Sequence, residues 1–258
     1  MKTLDLRLGT AGWTIPRAVA DRFPSAGSGL QRYAGRFGAA EINSTFYRPH
    51  RASTFVRWRE SAPEGFRFAA KVPKAITHEA RLVGCQPALH AFLAQVADLG
   101  EALGPLLVQL PPSLAFDTGV AESFFAGLRE AFDGQVACEP RHPTWFTADA
   151  DALLYGRRIA RVAADPARIP EAGRPGGWRG LAYWRLHGSP RMYFSPYAPA
   201  FLEALAAAIH RLEADEAWVI LDNTASGAAA ADALALQATM AAKARPGATP
   251  FRSVSGHA

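Results

Sequence analysis

Eight short apolar runs, most of them followed by residues at helical spacing, constrain this chain more than any other feature. The runs are Leu4–Gly9, Ala39–Asn43, Phe66–Lys71, Leu106–Leu110, Gln135–Glu139, Ile159–Ala163, Ala182–His187 and Ala217–Asp222. Between them, apolar residues recur every three or four positions: Leu30, Tyr33, Ala34 and Phe37; Leu89, Phe92, Leu93, Val96 and Leu99; Phe124, Phe125, Leu128 and Phe132; Phe201, Leu202, Leu205, Ile209 and Leu212; and Leu234, Leu236 and Met240. Ser53 is expected to cap a helix over Thr54–Glu60. Strands alternating with helices predict right-handed βαβ units and a parallel sheet. Eight units predict an α/β, TIM-type (β/α)8 barrel, a single domain over residues 1–258. One βα unit near 164–181 is irregular, because a Pro/Gly-rich loop stands where a helix should follow the sixth run.

Nearly every run ends in charged or polar residues, and in such a barrel reactive groups sit just past the C-terminal strand ends. Side chains alternate faces along a strand. Glu41 therefore shares a face with Asn43, and Tyr183 and Arg185 share one with His187. Trp218 and Ile220 share one with Asp222. The polar members are expected to point into the barrel mouth. Burying them unpaired would cost about 1–3 kcal/mol each, so they should bond to each other, to water or to a ligand.

Composition narrows the options. Lys and Arg number 28 against 23 Asp and Glu, a net charge of +5, but the basic residues are scattered. An anionic partner is compatible with this balance, and nucleic acid is one candidate. Cys85 and Cys138 lie far apart without CxxC spacing, which argues against a disulfide framework and suits a reducing cytosol. Met1-Lys2-Thr3-Leu4-Asp5 carries an early acid and no apolar core of a leader, so no signal peptide is expected. No apolar run nears ~18 residues, so no membrane span is expected and a cytoplasmic location is. GxGxxG, Walker and GxSxG patterns are absent, and no nucleotide cofactor is expected.

Several motifs resemble the DUF72 (YecE-like) family. They are Gly9–Trp13, Glu41–Tyr47, Phe66–His78, Leu103–Ser113, Glu139 with Arg141-His142-Pro143 and Trp145-Phe146, Arg185–Gly188, and Asp222-Asn223. They run in order over nearly the whole chain. The resemblance implies a TIM barrel and no established reaction. Pro140, the stretch Thr224–Gly227 and the Pro/Arg-rich segment after Asp165 depart from the family pattern.

The candidate acids, bases and proton carriers are Glu41, Glu139, His187 and Asp222. The candidate substrate-binding residues are Asn43, Tyr47, Lys71, His78, Arg141, His142, Trp145, Arg185 and Asn223, with Arg141, Arg185 and Lys71 holding an anion. The leading expectation is an acid–base or hydrolytic enzyme acting on a small or nucleic-acid-derived, phosphate-bearing substrate. One alternative is a non-catalytic nucleic-acid or metabolite binder, with Tyr47, Trp145, Tyr193 and Tyr197 as stacking surfaces. Another is a Schiff-base lyase using Lys71. No cofactor is expected. A divalent metal on Glu41, Glu139, His187 and Asp222 is the lesser option, because HxH, HxD and HExxH spacings are absent and Lys71, Arg141 and Arg185 would repel a cation.

Overall fold

In the computed structural model residues 4–243 are described. Met1–Thr3, part of the basis for expecting no leader, lie outside the described residues, as do residues 244–258. Ten strands form one sheet: β1 (Asp5–Ala11), β2 (Ala39–Ile42), β3 (Arg67–Lys71), β4 (Leu103–Gln109), β5 (Val136–Glu139), β6 (Ile159–Arg161), β7 (Ala163–Asp165), β8 (Gly176–Gly177), β9 (Leu181–Leu186) and β10 (Glu216–Leu221). Their spatial order is β7-β9-β10-β1-β2-β3-β4-β5-β6-β8. All pairings are parallel except β6 with β8.

Eight apolar runs become ten strands because the sixth is split and a two-residue strand is added. β6 pairs with β5, and after Val162 the chain turns to pair β7 with β9. One continuous run thus bonds first to one end of the sheet and then to the other, and the barrel closes across it. The Val162 N–H donates to Cys138 O at 2.8 Å and the His187 N–H to Asp165 O at 2.8 Å, so the seam is bonded on both sides. No α-helix follows β7. Its place is taken by a 3₁₀ turn at Pro170–Gly173 and by β8, which covers the free edge of β6.

The helices are α1 (Gly29–Ala34), α2 (Ala52–Ser61), α3 (Gln86–Val96), α4 (Thr118–Ala131), α5 (Ala148–Gly156), α6 (Pro199–His210) and α7 (Ala228–Lys243). Ser53 is not a cap. Helix α2 begins at Ala52 after an extended Arg51, and Thr54 N–H bonds to Arg51 O at 2.8 Å, so Ser53 sits inside the first turn. Helix α5 left no clear periodicity because it buries only Ala150 and Leu154. Its start is marked instead by Thr147, whose hydroxyl accepts from Ala150 N–H.

Alternation along the strands separates two cores. Ala39, Ala69, Leu107, Ala137, Ala160, Tyr183, Trp218 and Ile220 fill the barrel. The small alanines lie opposite two large rings, Tyr183 and Trp218, which stack with centroids 5.9 Å apart. Ala40, Ile42, Phe68, Val108, Trp184 and Val219 face outward and pack under the helices. The interior below the mouth is therefore solid; the carboxylate and guanidinium groups of the mouth gather above this plug, and a separate cluster of Arg7, Gln135 and Glu216 closes the other end.

Tyr33 ties the first two units together. Its hydroxyl accepts from Thr10 N–H at 2.7 Å and donates to Ala39 O at 3.1 Å. Gly9 passes against that junction. A Cβ there would overlap the Ala39 carbonyl and lie 3.1 Å from the Tyr33 hydroxyl. Gly9→Ala is expected to destabilise the protein by about 1–3 kcal/mol, because backbone must move. Urea unfolding measures it, and an unchanged midpoint would contradict this packing.

Candidate functional site

Glu41 ends the inward face of β2, Glu139 ends β5, Arg185 and His187 come from the end of β9, and Asp222 follows β10. All five are buried. Arg185 is the hub. Its Nε and Nη2 bind Glu41 Oε2 and Oε1 at 3.0 and 2.7 Å, Nη1 binds Glu139 Oε2 at 2.7 Å, and Nη2 also reaches Asp222 Oδ2 at 2.8 Å. The fork geometry of a guanidinium permits this, where a lysine ammonium could not. Tyr183 donates to Glu41 Oε2 at 2.9 Å and Gln109 to Glu139 Oε2 at 3.1 Å.

His187 lies between two carboxylates. Nδ1 is 3.0 Å from Asp222 Oδ2 and Nε2 is 3.1 Å from Glu139 Oε1. Both partners are acceptors, so the ring fits best as a doubly donating imidazolium. Burial alone would lower its pKa, but the charge of Glu139 and the hydrogen bonds to Asp222 and Glu139 override burial and raise it. Burial likewise pushes Glu139 up, yet Arg185, Arg141 and His187 hold it well below the ordinary carboxylate range. Asp222 is lowered in the same way, against burial, chiefly by Arg185 and His187. Arg141 adds two bonds to Glu139 Oε1, at 3.0 and 2.9 Å, from the mouth side.

Three carboxylates thus face Arg185, Arg141 and the His187 imidazolium, and these charges cancel. Lys71, at the end of β3, is the surplus cation. Its side chain is buried, and among the described residues it forms no ion pair. Its ammonium sits 4.2 Å from the centre of the Phe46 ring. Burial and the nearby Arg185 charge lower its pKa to about 8, against the pull of Glu41, Glu139 and Asp222. His78 packs edge-on against the same Phe46 ring, centroids 5.0 Å apart. Burial and the charges of Lys71, Arg141 and Lys74 lower its pKa, which favours the neutral imidazole at pH 7.

The lowered Lys71 pKa has a thermodynamic consequence. The charged lysine is disfavoured in the fold, so its penalty is complete below pH 8. It is relieved as pH rises from 8 to the unfolded value of 10.5. Lys71→Met is expected to be more stable than the parent at pH 7 by up to about 3 kcal/mol. The gap should close between pH 8 and 10.5. Denaturant titrations of both proteins over that range measure it, and a gap independent of pH would contradict the assignment.

Some expected site residues lie elsewhere or take another role. Arg185 was expected to hold an anionic ligand, but it is fully buried and saturated by carboxylates, so it organises the cage. Glu41 is equally buried, with both oxygens engaged by Arg185 and Tyr183. Trp145 is a plug. Its indole donates to Leu114 O at 2.9 Å, and it lies with Leu82 and Val120 along an outer apolar cleft of about 270 Å³. The His142 ring caps the turn at Pro143–Phe146 by accepting from Thr144 N–H. Asn223 donates to Asp232 and to Ser195 O, so it braces the loop after β9. Asn43 has a buried Oδ1 without a hydrogen-bond partner among the described residues, and Tyr47 is 77% exposed.

Tyr183, Gln109 and Phe46 complete the site without having been expected in it, and Tyr193, expected as a stacking surface, joins them. Parity had put Tyr183 on the face of Arg185, and that was the available signal. Tyr193 sits edge-on to His187 with centroids 5.7 Å apart, its hydroxyl beside Arg141. The atoms left for a ligand are few. Among the described residues, Lys71 Nζ and Asp222 Oδ1 form no hydrogen bond within the cage, and Arg141 forms the rim. The guanidinium of Arg185 stands between the carboxylates that a metal would need. Among the described residues, no group of three or more His, Cys, Asp or Glu is arranged to hold a metal ion. No helix there is long and apolar enough to cross a membrane.

Comparison with known proteins supports the fold. The family model described as "Protein of unknown function DUF72" matches residues 7–253. A curated relative, UPF0759 protein YecE of Escherichia coli K12, is 30% identical over 174 residues, covering 65% of this chain. The match spans 61% of that relative, so the chain covers about three fifths of the length of the curated relatives it matches. A DUF72 family protein from Enterococcus faecalis V583 superposes with a TM-score of 0.77 at 22% identity, over 91% of this chain and 95% of that one. A DUF72 family protein from Thermotoga maritima MSB8 does so with a TM-score of 0.74 at 24% identity, over 92% and 99%.

Proposed function

The chain belongs to the DUF72 family, and from that premise we propose that its barrel mouth binds a small phosphate-bearing substrate and acts on it by acid–base chemistry. The observation that carries this reading is the surplus charge of Lys71 over an otherwise neutral cage. An anion is the simplest partner for a buried ammonium without a carboxylate. Arg141, held by Glu139 at the rim, would supply the second cation. Asp222 is the carboxylate with an oxygen to spare, and the His187 imidazolium behind it can hold or return a proton. Asn43 Oδ1, buried and unpartnered, would accept from a substrate hydroxyl. Glu41 and Arg185 would act as positioning residues.

Calorimetric titration with inorganic phosphate at low salt tests the binding. Tight, salt-sensitive binding is expected, weakened at least about tenfold by Arg141→Ala, a loss of ~1.4 kcal/mol. No heat at any concentration would overturn the anion reading. For turnover of phosphomonoesters and sugar phosphates, Asp222→Asn is expected to lose about 10²–10⁴ in rate with KM little changed. A variant with full activity would remove Asp222 from the chemistry.

A second reading rests on a separate observation. Tyr47, Tyr193 and Phe194, in loops after β2 and β9, are 77%, 38% and 40% exposed, and Arg191 lies 3.9 Å over the Phe194 ring. Exposed rings beside arginines suit stacking on single-stranded nucleic acid. Salt-dependent binding of an oligonucleotide without cleavage would favour a binding protein over an enzyme.

A further inference from the structure

We infer that Lys71 is a reactive amine that condenses with the carbonyl carbon of a phosphorylated aldehyde or ketone. The inference rests on the anion reading above and goes beyond it by assigning a covalent step. Four features place the amine for this. It stands at the end of β3, where the barrel opens. The carboxylates that could neutralise it are consumed by Arg185, Arg141 and His187. The Phe46 ring covers it at 4.2 Å and shields it from water. His78 shares that ring and bonds Thr77 Oγ1 through Nδ1 at 2.8 Å, while Nε2 forms no hydrogen bond among the described residues. Desolvation beside a second cation is the usual means of making a lysine nucleophilic.

The step balances without an oxidant or reductant. The ammonium first yields one proton, for which His78 Nε2 is the available acceptor. The amine lone pair then adds to the carbonyl carbon, and the nitrogen's second proton passes to the carbonyl oxygen, giving a carbinolamine. The proton first taken by His78 then converts that hydroxyl to water, which leaves as the nitrogen lone pair forms the C=N bond, and a protonated imine remains on Nζ. The net change is ammonium plus carbonyl giving iminium plus water. Arg141, on the rim, would hold the phosphate of the same ligand.

The sequence makes the test clean, because it contains only four lysines: Lys2, Lys71, Lys74 and Lys243. Lys74 is half exposed and paired with Glu79, and Lys243 bonds to Glu203 O, so both serve as internal references. The full-length protein would be incubated with pyridoxal 5′-phosphate, an aldehyde carrying a phosphate, then reduced with borohydride and mapped by peptide mass spectrometry. Lys71 is expected to be labelled at least about tenfold more than Lys74. Labelling should be half-maximal near pH 8 and suppressed by inorganic phosphate. Lys71→Arg should lose the label at position 71, with the labelling of Lys74 unchanged. Labelling of Lys74 or Lys243 with Lys71 untouched, in a protein that still binds phosphate, would overturn the imine and leave the anion reading standing. Labelling of Lys71 that phosphate does not suppress would support the reactive amine and overturn the anion reading.

Discussion

Arg185→Met is expected to destabilise the folded protein by about 3–5 kcal/mol, because it strips the cation from three buried carboxylates at once. Glu41 would keep only the Tyr183 hydroxyl, Asp222 only His187, and Glu139 would depend on Arg141, Gln109 and His187. Each stranded carboxylate must either remain charged in a dry site or take up a proton. The loss should therefore shrink with falling pH. Glu139 and Asp222 have lowered pKa values in the parent, so their contribution is present above the ordinary carboxylate range and lost as pH falls through their folded values. In the variant the same groups gain by protonation on the way down. Arg185→Lys should rescue little, since one ammonium cannot replace the bidentate contact with Glu41 and the reach to Glu139. Urea unfolding of both variants from pH 7 down to pH 4 gives the comparison. A loss below about 1 kcal/mol would mean the cage contributes little to holding the barrel end together.

Glu139→Gln should be nearly as damaging, about 3–5 kcal/mol, with a more specific signature. The amide keeps the shape but removes the charge facing Arg185, Arg141 and His187. It also turns a donor toward donors. Burial would then lower the His187 pKa without the largest opposing charge. In the parent, the ring should stay protonated above its ordinary value of 6.5. In the variant, it should titrate below the parent's midpoint. Nitrogen-edited NMR of the imidazole distinguishes the two. An unchanged His187 midpoint would contradict the assigned balance, even if the variant were unstable.

Much of this architecture was legible in the residues. Apolar runs with polar ends mark the strands and the mouth, because a parallel barrel buries both faces of each strand and leaves only the strand ends for charge. Parity alone put Arg185 with Tyr183 and His187, and Glu41 with Asn43. What parity cannot show is who pairs with whom across 142 to 144 residues, as Tyr183 and Arg185 do with Glu41. That is why Arg185 read as a ligand-binding residue when it is the hub. The sixth run looked like an ordinary strand, because nothing in Ile159–Asp165 signals that its two halves bond to different neighbours. Trp145 read as an aromatic beside a charged cluster, yet its indole satisfies the Leu114 carbonyl beneath the outer layer. Helix α5 escaped periodicity because it fully buries only two side chains, Ala150 and Leu154.

The most direct test of the account is a carbon- and nitrogen-detected titration of the Lys71 side chain, with and without inorganic phosphate. A midpoint near 8 is expected in the free protein, with an upward shift on adding phosphate, as the bound anion stabilises the ammonium. A midpoint at the ordinary 10.5, unmoved by phosphate, would contradict it.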